Sequence, residues 1–522
     1  MSELGPFTNE PVLELRRAAV RSSLAQVLED SERAGPVQVP VRIGEGERHG
    51  EEIISVDPGD PSRLVATAAS ATAAEVDEAV ELARQAATGW AKVPAGERAA
   101  MLRRAAAWLR ERRLEVAALE VRECAKPWAE ADADVCEAID YLEYYARGAL
   151  ELDRGGEVLQ APGEHNRLSY AGRGVVGVIA PWNFPVAIPM GMTAAALASG
   201  NTAVLKPAEQ SPACGAVVVA ALRAGGVPAE VLALLPGEGP VGAALVSHRD
   251  VATIAFTGSL AVGLEVVRAA AIVQPGQRQL KRVVAEFGGK NCVIVASDAD
   301  LDEAVPAILA SAFSYAGQKC SAASRVLVAE RVADHFLERL AGAASVLVVG
   351  QARELATEVP PLIEQEALER VVRYGAISRE SGQVLAELAT PPGPGYFAPP
   401  MLVSGLPPDS PVLREEIFGP ILAIEGFGEL EEALTRIDEL PFALTAGLFS
   451  RDPVAIAQVA AAVPAGNLYV NRATTGAMVG RQPFGGNRLS GNGTKAGGPD
   501  YLRHFVDPKV ISENTMRHGL VV

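Results

Sequence analysis

Apolar residues in the first 150 positions recur with the spacing of amphipathic helices. In residues 1–40 one apolar stripe ends before Gly35-Pro36, which predicts a helical arm packed on the body of the protein. Residues 74–149 mix Ala, Leu, Glu and Arg with a period near 3.6, which is typical of helices with one buried face. The pattern predicts helices over residues 74–87, 97–112 and 129–150.

Beyond residue 174 the pattern changes to short apolar runs that alternate with helical segments. Such alternation is typical of a parallel sheet with helices on both faces, so the chain is predicted to be α/β. A second region of the same kind continues to residue 478. The predicted strands cover residues 175–180, 202–205, 231–235, 253–256, 282–286 and 325–329.

Residues 172–177 spell Gly-Arg-Gly-Val-Val-Gly, which matches the glycine pattern of dinucleotide-binding loops. In those loops the glycines follow a strand and open a helix, so that the helix N-terminus meets the pyrophosphate. Here the glycines lead into a predicted strand instead. We therefore expect this segment not to be the phosphate-binding loop of a cofactor site.

Polar or glycine-rich loops follow four of the predicted strands. They cover residues 181–185, 206–209, 256–259 and 286–290. Because the carboxyl ends of parallel strands meet at one edge of a sheet, these loops are expected to lie together. The sequence therefore predicts a ligand site at this edge.

Composition narrows the class of protein. The chain has 522 residues, of which 49% are hydrophobic and 21% charged, so it can build two large domains or three unequal ones. A net charge of −17 argues against nucleic acid or an anionic membrane as a partner. With five cysteines, no metal-type Cys/His spacing and no signal or transmembrane segment, the protein is expected to be cytoplasmic and to hold no metal.

Cys320 has the surroundings that a reactive cysteine needs. It lies in the small, polar segment Gly317-Gln-Lys-Cys-Ser321, with the cation of Lys319 beside it in sequence. The thiolate is the nucleophilic form, and neighbouring positive charge favours it. The alternative is a small buried hydrophobic residue, and we expect that role for the other cysteines, Cys124, Cys136, Cys214 and Cys292.

Six short motifs together resemble those of the NAD(P)-dependent aldehyde dehydrogenase superfamily, in the order found there. They are Pro181-Trp-Asn-Phe-Pro185, Phe256-Thr-Gly-Ser259, Glu286-Phe-Gly-Gly-Lys290, Gly317-Gln-Lys-Cys-Ser321, Glu416-Ile-Phe-Gly-Pro420 and Pro483-Phe-Gly-Gly486. The resemblance covers residues 40 to 515. One departure is Phe287, where the superfamily more often has Leu, and we expect it to alter packing rather than chemistry.

Within the superfamily, residues 475–486 and 489–498 resemble the L-glutamate γ-semialdehyde dehydrogenases, also called Δ1-pyrroline-5-carboxylate dehydrogenases. The N-terminal helical arm resembles that group as well. The resemblance implies NAD-dependent oxidation of L-glutamate γ-semialdehyde to L-glutamate, the second step of proline catabolism. Because no proline dehydrogenase domain is visible, the chain resembles the stand-alone form of the enzyme.

The resemblance also implies an architecture. It consists of a Rossmann-type NAD-binding domain, an α/β catalytic domain and a small β oligomerisation flap, preceded by the arm of residues 1–40. The tail, residues 506–512, is predicted to be an exposed edge strand that can pair with another subunit. A homodimer or a larger homo-oligomer built from dimers is therefore expected. The implied ranges are 41–149 and 174–287 for the NAD-binding domain, 288–478 for the catalytic domain, and 150–173 with 479–522 for the bridging segments.

Three residues carry the implied chemistry. Cys320 is the nucleophile that forms a thiohemiacetal and then a thioester with the aldehyde. Asn183, with the Cys320 backbone N–H, is similar to the family's oxyanion hole, although by itself it would be read as a turn residue. Glu286 is the general base for the deacylating water, and its alternative is a helix-capping or surface acid.

The implied NAD site follows the same sheet edge. Lys206 and Glu209 would hold the adenosine ribose, and the carboxylate of Glu209 would repel a 2′-phosphate, which favours NAD over NADP. The remaining residues would contact the pyrophosphate, the nicotinamide ribose and the rings beside it. They are Gly258, Ser259, Glu416, Phe418 and Trp182.

The substrate is a small molecule with an α-carboxylate, an ammonium and a short methylene stem. Ser321 and the backbone of Gly476 and Ala477 are expected to bind the carboxylate. The other implied contacts are Glu137 for the ammonium, Phe184 and Phe484 for the stem, and Lys319.

Three alternatives to this activity stay open at the level of sequence. The first is the same chemistry on another amino-acid semialdehyde or an aliphatic aldehyde. The second is a catalytically silent structural protein on the same fold, which the intact Cys320, Glu286 and Asn183 argue against. The third is an acylating dehydrogenase that transfers the thioester to coenzyme A, which Glu286 disfavours because it is a base for water.

Overall fold

The computed structural model describes residues 4–516, and the helices and strands predicted between residues 74 and 329 are all present. The helices are α1 (Ala18–Arg33), α2 (Ala73–Lys92), α3 (Ala95–Glu111), α4 (Arg113–Cys124), α5 (Trp128–Asp153), α6 (Ala187–Ala198), α7 (Pro212–Ala224), α8 (Gly239–Ser247), α9 (Leu260–Ala270), α10 (Leu301–Phe313), α11 (Glu330–Ala344), α12 (Gln365–Ser381), α13 (Pro411–Arg414), α14 (Leu430–Asp438) and α15 (Pro453–Ala462).

The strands are β1 (Val37–Val39), β2 (Val41–Ile43), β3 (Gly46–Arg48), β4 (Glu52–Asp57), β5 (Asp60–Ala69), β6 (Glu164–Gly172), β7 (Val175–Ile179), β8 (Thr202–Lys206), β9 (Leu232–Leu234), β10 (Val251–Thr257), β11 (Arg282–Glu286), β12 (Asn291–Val295), β13 (Ala323–Ala329), β14 (Gln383–Glu387), β15 (Met401–Ser404), β16 (Ile421–Phe427), β17 (Phe442–Ala443), β18 (Thr445–Phe449), β19 (Asn467–Val470), β20 (Asn487–Arg488) and β21 (Val506–Asn514).

The first large sheet has the strand order β11-β10-β7-β8-β9-β2-β3. Its first five strands run parallel, and β2 and β3 extend one edge in antiparallel fashion. Strands β7 and β8 are almost wholly buried, as their continuous apolar runs require of central parallel strands. Because Gly174 leads into β7 and not into a helix, the structure agrees with the expectation that residues 172–177 are not a phosphate-binding loop.

The second large sheet has the order β14-β15-β16-β13-β12-β18-β19. All of its strands are parallel except the edge strand β14. The segment of Cys320 immediately precedes β13, and that of Glu416 precedes β16, so both lie at the amino edge of this sheet. The carboxyl edge of the first sheet carries Asn183 and Glu286. The two sheets therefore bring complementary edges together at one site.

The two bridging segments pair with each other. Strands β6 and β21 form a two-stranded antiparallel sheet of nine residue pairs, from Val506–Gly172 to Asn514–Glu164. The predicted edge strand of residues 506–512 is thus present and two residues longer. Its outward side chains remain exposed, including Val510 with 66% exposure.

The N-terminal arm differs from its prediction in one respect. The helix α1 is present and buries Leu24 and Leu28, but residues 37–39 form a strand that pairs in parallel with β5. The arm therefore belongs partly to a separate three-stranded sheet, β1-β5-β4. Within residues 4–516, no helix is both long enough and apolar enough to cross a membrane.

Candidate active site

The turn that presents Cys320 has an unusual backbone. After α10 the chain passes through Tyr315, Ala316 and Gly317, all with positive φ (54°, 54° and 70°). A side chain at Gly317 would lie 2.7 Å from the carbonyl oxygen of Gly419, so only glycine fits there. Strained backbone of this kind is concentrated at functional sites. Here it turns the chain so that Cys320 faces the crevice between the two sheets.

Three polar side chains, missed in the sequence, fix the backbone of Cys320 and Ser321. Asn291 donates from Nδ2 to the carbonyl oxygen of Cys320 at 2.7 Å. Thr445 and Thr474 each donate a hydroxyl hydrogen bond to the carbonyl oxygen of Ser321 at 3.2 Å. Thr445 is remote in sequence and no motif marks it, whereas Asn291 directly follows the Glu286–Lys290 motif and Thr474 directly precedes the segment 475–486.

Lys319 does not have its predicted role. Its ammonium donates to Glu130 Oε1 at 2.6 Å and to Ser314 Oγ at 3.0 Å. The side chain is buried and does not line either of the two cavities next to Cys320. The prediction that Lys319 contacts the substrate is therefore wrong, because a carboxylate on another helix holds its charge.

Cys320 lies at the junction of two cavities. One cavity has a volume of about 810 Å³, which includes space open to solvent. It is lined by Glu286 and by the predicted substrate residues other than Lys319. The other contains about 930 Å³ and includes Asn183 and the predicted nicotinamide-side residues. Among predicted site residues, Cys320 is the one that lines both. The first cavity is lined by Glu137, Phe184, Glu286, Ser321, Gly476, Ala477 and Phe484, among others.

Glu286 ends β11 and faces the Cys320 thiol. Burial raises the pKa of Glu286 to about 8, against the smaller lowering effects of a hydrogen bond from Cys320 and the charge of Lys495. Its Oε1 is buried and accepts no hydrogen bond from the described residues. A carboxyl group with a pKa near neutrality and a free acceptor oxygen has the properties of a general base.

The environment of Cys320 is acidic rather than basic. Burial, followed by the charges of Glu286 and Glu416, raises the pKa of the Cys320 thiol well above its usual value. The expectation that neighbouring positive charge favours the thiolate is therefore wrong, because Lys319 points away and carboxyl groups face the sulfur. This environment favours the neutral thiol, and Glu286 is a carboxyl group that lines the same cavity as the sulfur.

Asn183 lies at the carboxyl end of β7, on the nicotinamide side of Cys320. Its Nδ2 donates to the carbonyl oxygen of Gln318 at 3.1 Å, two residues before the cysteine. The backbone carbonyl oxygen of Asn183 accepts a hydrogen bond from Lys126 Nζ at 2.9 Å. Lys126 is fully buried, pairs with Asp134 at 2.7 Å, and lies 4.1 Å from the centre of the Phe184 ring. These contacts fix both Asn183 and Phe184.

The second cavity has the form expected of a dinucleotide cleft. Ser259 caps α9 by accepting a hydrogen bond from the Val262 N–H, so the amides that open this helix face the cleft as a site for phosphate. A Cβ at Gly288 would lie within 2.2 Å of the Glu416 carboxyl group, which shows how closely that acid lies on the backbone. Burial raises the pKa of Glu416 to about 7, while a hydrogen bond from the Gly289 N–H opposes the shift.

The remaining predicted cofactor residues form two pairs of interacting side chains. The rings of Trp182 and Phe418 meet edge to face, with centroids 5.8 Å apart. Lys206 Nζ donates to Glu209 Oε2 at 3.1 Å, so these two side chains form an ion pair beyond the end of β8. Neither Lys206 nor Glu209 lines the cavity that contains Asn183 and Cys320, so their predicted contact with the adenosine ribose stays a prediction.

Glu137 and a group of tyrosines form the deep wall of the first cavity. The face of α5 that carries Asp134 and Glu137 is buried, not solvated. Burial and the charge of Asp134 raise the pKa of Glu137 to about 8. Tyr145 stacks on Tyr501 with centroids 5.7 Å apart, and both line the cavity. No sequence motif marks Tyr145 or Tyr501, although Tyr145 lies on the same helix as Glu137.

The chain is similar to known proteins over almost its whole length. The model of the aldehyde dehydrogenase family matches residues 46–511. The 1-pyrroline-5-carboxylate dehydrogenase 1 of Halalkalibacterium halodurans is 40% identical over 512 residues, which is 98% of this chain and 99% of that protein.

Two solved structures are also similar. The 1-pyrroline-5-carboxylate dehydrogenase from Thermus with bound NAD has a TM-score of 0.96 and 40% identity, and the match covers 98% of this chain and all of that one. Proline utilization A from Bdellovibrio bacteriovorus, inactivated by N-propargylglycine, has a TM-score of 0.97 and 42% identity. This chain spans 54% of that longer protein. From its sequence, its fold and the junction of cavities at Cys320, this chain belongs to the aldehyde dehydrogenase family.

Proposed function

We propose that the protein oxidises L-glutamate γ-semialdehyde, the open form of Δ1-pyrroline-5-carboxylate, to L-glutamate with NAD. The observation that carries this proposal is the position of Cys320 between a dinucleotide-type cleft and a cavity that contains Glu137 and Glu286. The relatives named as 1-pyrroline-5-carboxylate dehydrogenases, similar over almost their whole length, support the same substrate.

Acylation begins at the sulfur. As Cys320 attacks the aldehyde carbon, the thiol proton passes to Glu286, which lines the same cavity. The new oxyanion is stabilised by Asn183 Nδ2 and the Cys320 backbone N–H. Bound NAD supplies the acceptor for the hydride that leaves the adduct carbon, and loss of that hydride converts the adduct to a thioester on Cys320.

Deacylation uses the same carboxyl group a second time. Glu286 takes a proton from water as the water attacks the thioester carbonyl, and the C–S bond breaks. Oε1, which accepts no hydrogen bond from the described residues, is available for that water. The products are the carboxylate of glutamate and the Cys320 thiol. Because this base serves water, hydrolysis is favoured over transfer to coenzyme A.

The substrate's charged groups match the far end of the first cavity. Ser321 and the backbone of Gly476 and Ala477 bind the α-carboxylate, and Gly476 has a φ of 79° with open space beside it. Glu137 binds the ammonium. Phe184 and Phe484 pack against the methylene stem. All six residues line the cavity that contains the cysteine.

The cofactor is held along the edges of both sheets. Lys206 and Glu209 would bind the adenosine ribose, and Gly258 and Ser259 would hold the pyrophosphate. Glu416 would bind the nicotinamide ribose. Trp182 and Phe418, which meet edge to face and line the same cavity as Glu416, would pack beside the nicotinamide ring.

We also propose a cytoplasmic homodimer, or a larger assembly built from dimers, with the domain division implied by the resemblance. The free state of all five cysteines supports a reducing compartment. The exposed face of the β6–β21 sheet, with Val510, supports its use as the oligomerisation flap.

The test is NADH formation from racemic Δ1-pyrroline-5-carboxylate and NAD. We expect kcat/KM on this substrate to exceed the values on two other aldehydes by about tenfold or more. The semialdehyde one methylene longer cannot place its charged groups on the same partners, and propanal lacks those groups. A higher kcat/KM on the longer semialdehyde or on propanal would assign the same chemistry to another substrate. No NADH from any aldehyde would support a structural protein instead.

A further inference from the structure

The loop of residues 484–496 forms one wall of the substrate cavity. Phe484 and Ala496 exchange backbone hydrogen bonds of 2.9 and 2.8 Å, which close the loop at its base. Phe484, Thr494 and Ala496 all line the cavity that contains Cys320. The position of this loop therefore sets the shape of the cavity.

One ammonium group, that of Lys495, ties the loop to the second sheet. Lys495 Nζ donates to the carbonyl oxygen of Gly466 at 2.7 Å and to Asn467 Oδ1 at 3.1 Å, both at the start of β19. It also donates to the carbonyl oxygen of Gly485, on the opposite arm of the loop. All three donors of the ammonium are thus used on fixed acceptors.

The surroundings of this ammonium are closely packed. A Cβ at Gly466 would lie 2.7 Å from Lys495 Nζ and 2.0 Å from the carbonyl oxygen of Gly485. A Cβ at Gly485 would lie 1.9 Å from the carbonyl oxygen of Thr494. Both glycines therefore allow the backbone to approach the lysine. The three oxygens that accept from Lys495 thus form a site of defined shape.

The same loop contacts the strand of the general base. The N–H of Phe287 donates to the carbonyl oxygen of Ser490 at 2.9 Å, and the Asn492 side chain bonds the backbone of β11 at Ala285 and Val283. The titratable groups that interact with Glu286 are Cys320, Tyr501 and Lys495. Of these three, Lys495 is the cation.

We propose that Lys495 is a positioning residue, which fixes the 484–496 loop against the second sheet and so holds a positive charge in the loop that contacts the strand of Glu286. The proposal deepens the proposed function, because it rests on Glu286 as the base. Burial lowers the pKa of Lys495, and the charge of Glu286 opposes that effect. In turn Lys495 lowers the pKa of Glu286, so loss of the cation raises the pKa of the base above about 8.

The experiment compares Lys495→Met, Lys495→Arg and Asn492→Ala with the parent protein. Steady-state kcat and KM are measured from pH 6 to pH 10 for Δ1-pyrroline-5-carboxylate and for propanal. Arginine keeps the charge but not the compact ammonium. Asn492→Ala loosens the same loop without a change of charge. If Lys495→Met does not fold, Lys495→Gln replaces it as the uncharged variant.

In Lys495→Met we expect the acidic limb of the kcat profile to move to higher pH, and KM for Δ1-pyrroline-5-carboxylate to rise about tenfold, as for the loss of a charge-assisted hydrogen bond. In Lys495→Arg the limb stays in place while KM rises. In Asn492→Ala only KM rises. The same limb in Lys495→Met and the parent protein, or a limb displaced equally by all variants, would overturn the proposal.

Propanal separates this proposal from the assignment of the substrate. It lacks the carboxylate and the ammonium but still forms a thioester that Glu286 must hydrolyse. If the parent protein oxidises propanal but not Δ1-pyrroline-5-carboxylate, the substrate assignment fails, while the pH limb on propanal still tests Lys495.

Discussion

Replacement of Glu286 by glutamine is the most informative single change at this site. Glutamine has almost the same shape, but it cannot accept a proton from the Cys320 thiol or from water. Glu286 ends a strand whose neighbours are fixed by β10 and by the 490–492 segment, so the substitution should leave the fold intact. The change therefore isolates the acid–base role.

The kinetic effect follows from the pKa of about 8 for Glu286. At pH 7 roughly one carboxyl group in ten is ionised, and at pH 9 roughly nine in ten, so kcat of the parent protein should rise about tenfold over this range. General-base catalysis contributes about 10²–10⁴ in rate, so Glu286→Gln should lose that factor in thioester hydrolysis and lose the pH dependence with it.

The same shift predicts an effect on stability. The folded pKa is raised from 4.5 to about 8, so the folded state binds the proton more tightly than the unfolded state does. The contribution of Glu286 to the free energy of unfolding is fully present below pH 4.5. It falls as the pH rises to 8, by at most about 5 kcal/mol. Because glutamine never ionises, Glu286→Gln should be more stable than the parent protein at pH 8 and not at pH 4.5.

Two assays check these expectations. Single-turnover mixing with NAD and substrate separates NADH formation from thioester hydrolysis, and urea unfolding at pH 5 and pH 8 gives the free energy of unfolding. The reasoning is refuted if thioester hydrolysis in Glu286→Gln keeps the parent rate and pH dependence. Equal stabilities of the two proteins at pH 8 would contradict the raised pKa of the buried carboxyl group.

Three further substitutions test separate parts of the site. Asn183→Ala should slow the first NADH burst about 10²- to 10³-fold, as for the loss of one oxyanion donor, and an unchanged burst would remove Asn183 from the oxyanion hole. Glu137→Gln should raise KM for Δ1-pyrroline-5-carboxylate about tenfold, as for the loss of an ion-paired hydrogen bond, and leave KM for propanal unchanged. Equal effects on both substrates would mean that Glu137 has a structural role and does not bind the ammonium. Glu209→Ser should lower kcat/KM with NAD and raise it with NADP, because a carboxylate no longer repels the 2′-phosphate; an unchanged NADP value would place the discrimination elsewhere.

Sequence patterns predicted most of the fold because local signals and burial agree there. The apolar runs at β7, β8 and β10 are continuous, as central parallel strands require, and the three helices of residues 74–149 have clear periodicity. The helix α4 was not predicted, because it follows α3 after a single residue and its buried face includes Glu120 and Glu123. Polar residues on a buried face conceal the hydrophobic pattern.

The site was predicted from linear motifs, and it was mispredicted where the chemistry depends on side-chain direction. Lys319 is adjacent to Cys320 in sequence, yet its ammonium contacts Glu130 on α5. The support from Thr445 and Thr474 depends on contacts between residues more than a hundred positions apart. Such contacts leave no trace in local patterns, since the fold alone brings the partners together.

The most direct test of the account is to locate the covalent intermediate. The parent protein is mixed with NAD and Δ1-pyrroline-5-carboxylate, quenched in acid within the first turnover and digested, and its peptides are examined by mass spectrometry. The account predicts a thioester of glutamate on the peptide that carries Cys320, and no adduct in the Cys320→Ala variant. An adduct on another residue, or NADH formation by Cys320→Ala at the parent rate, would contradict it.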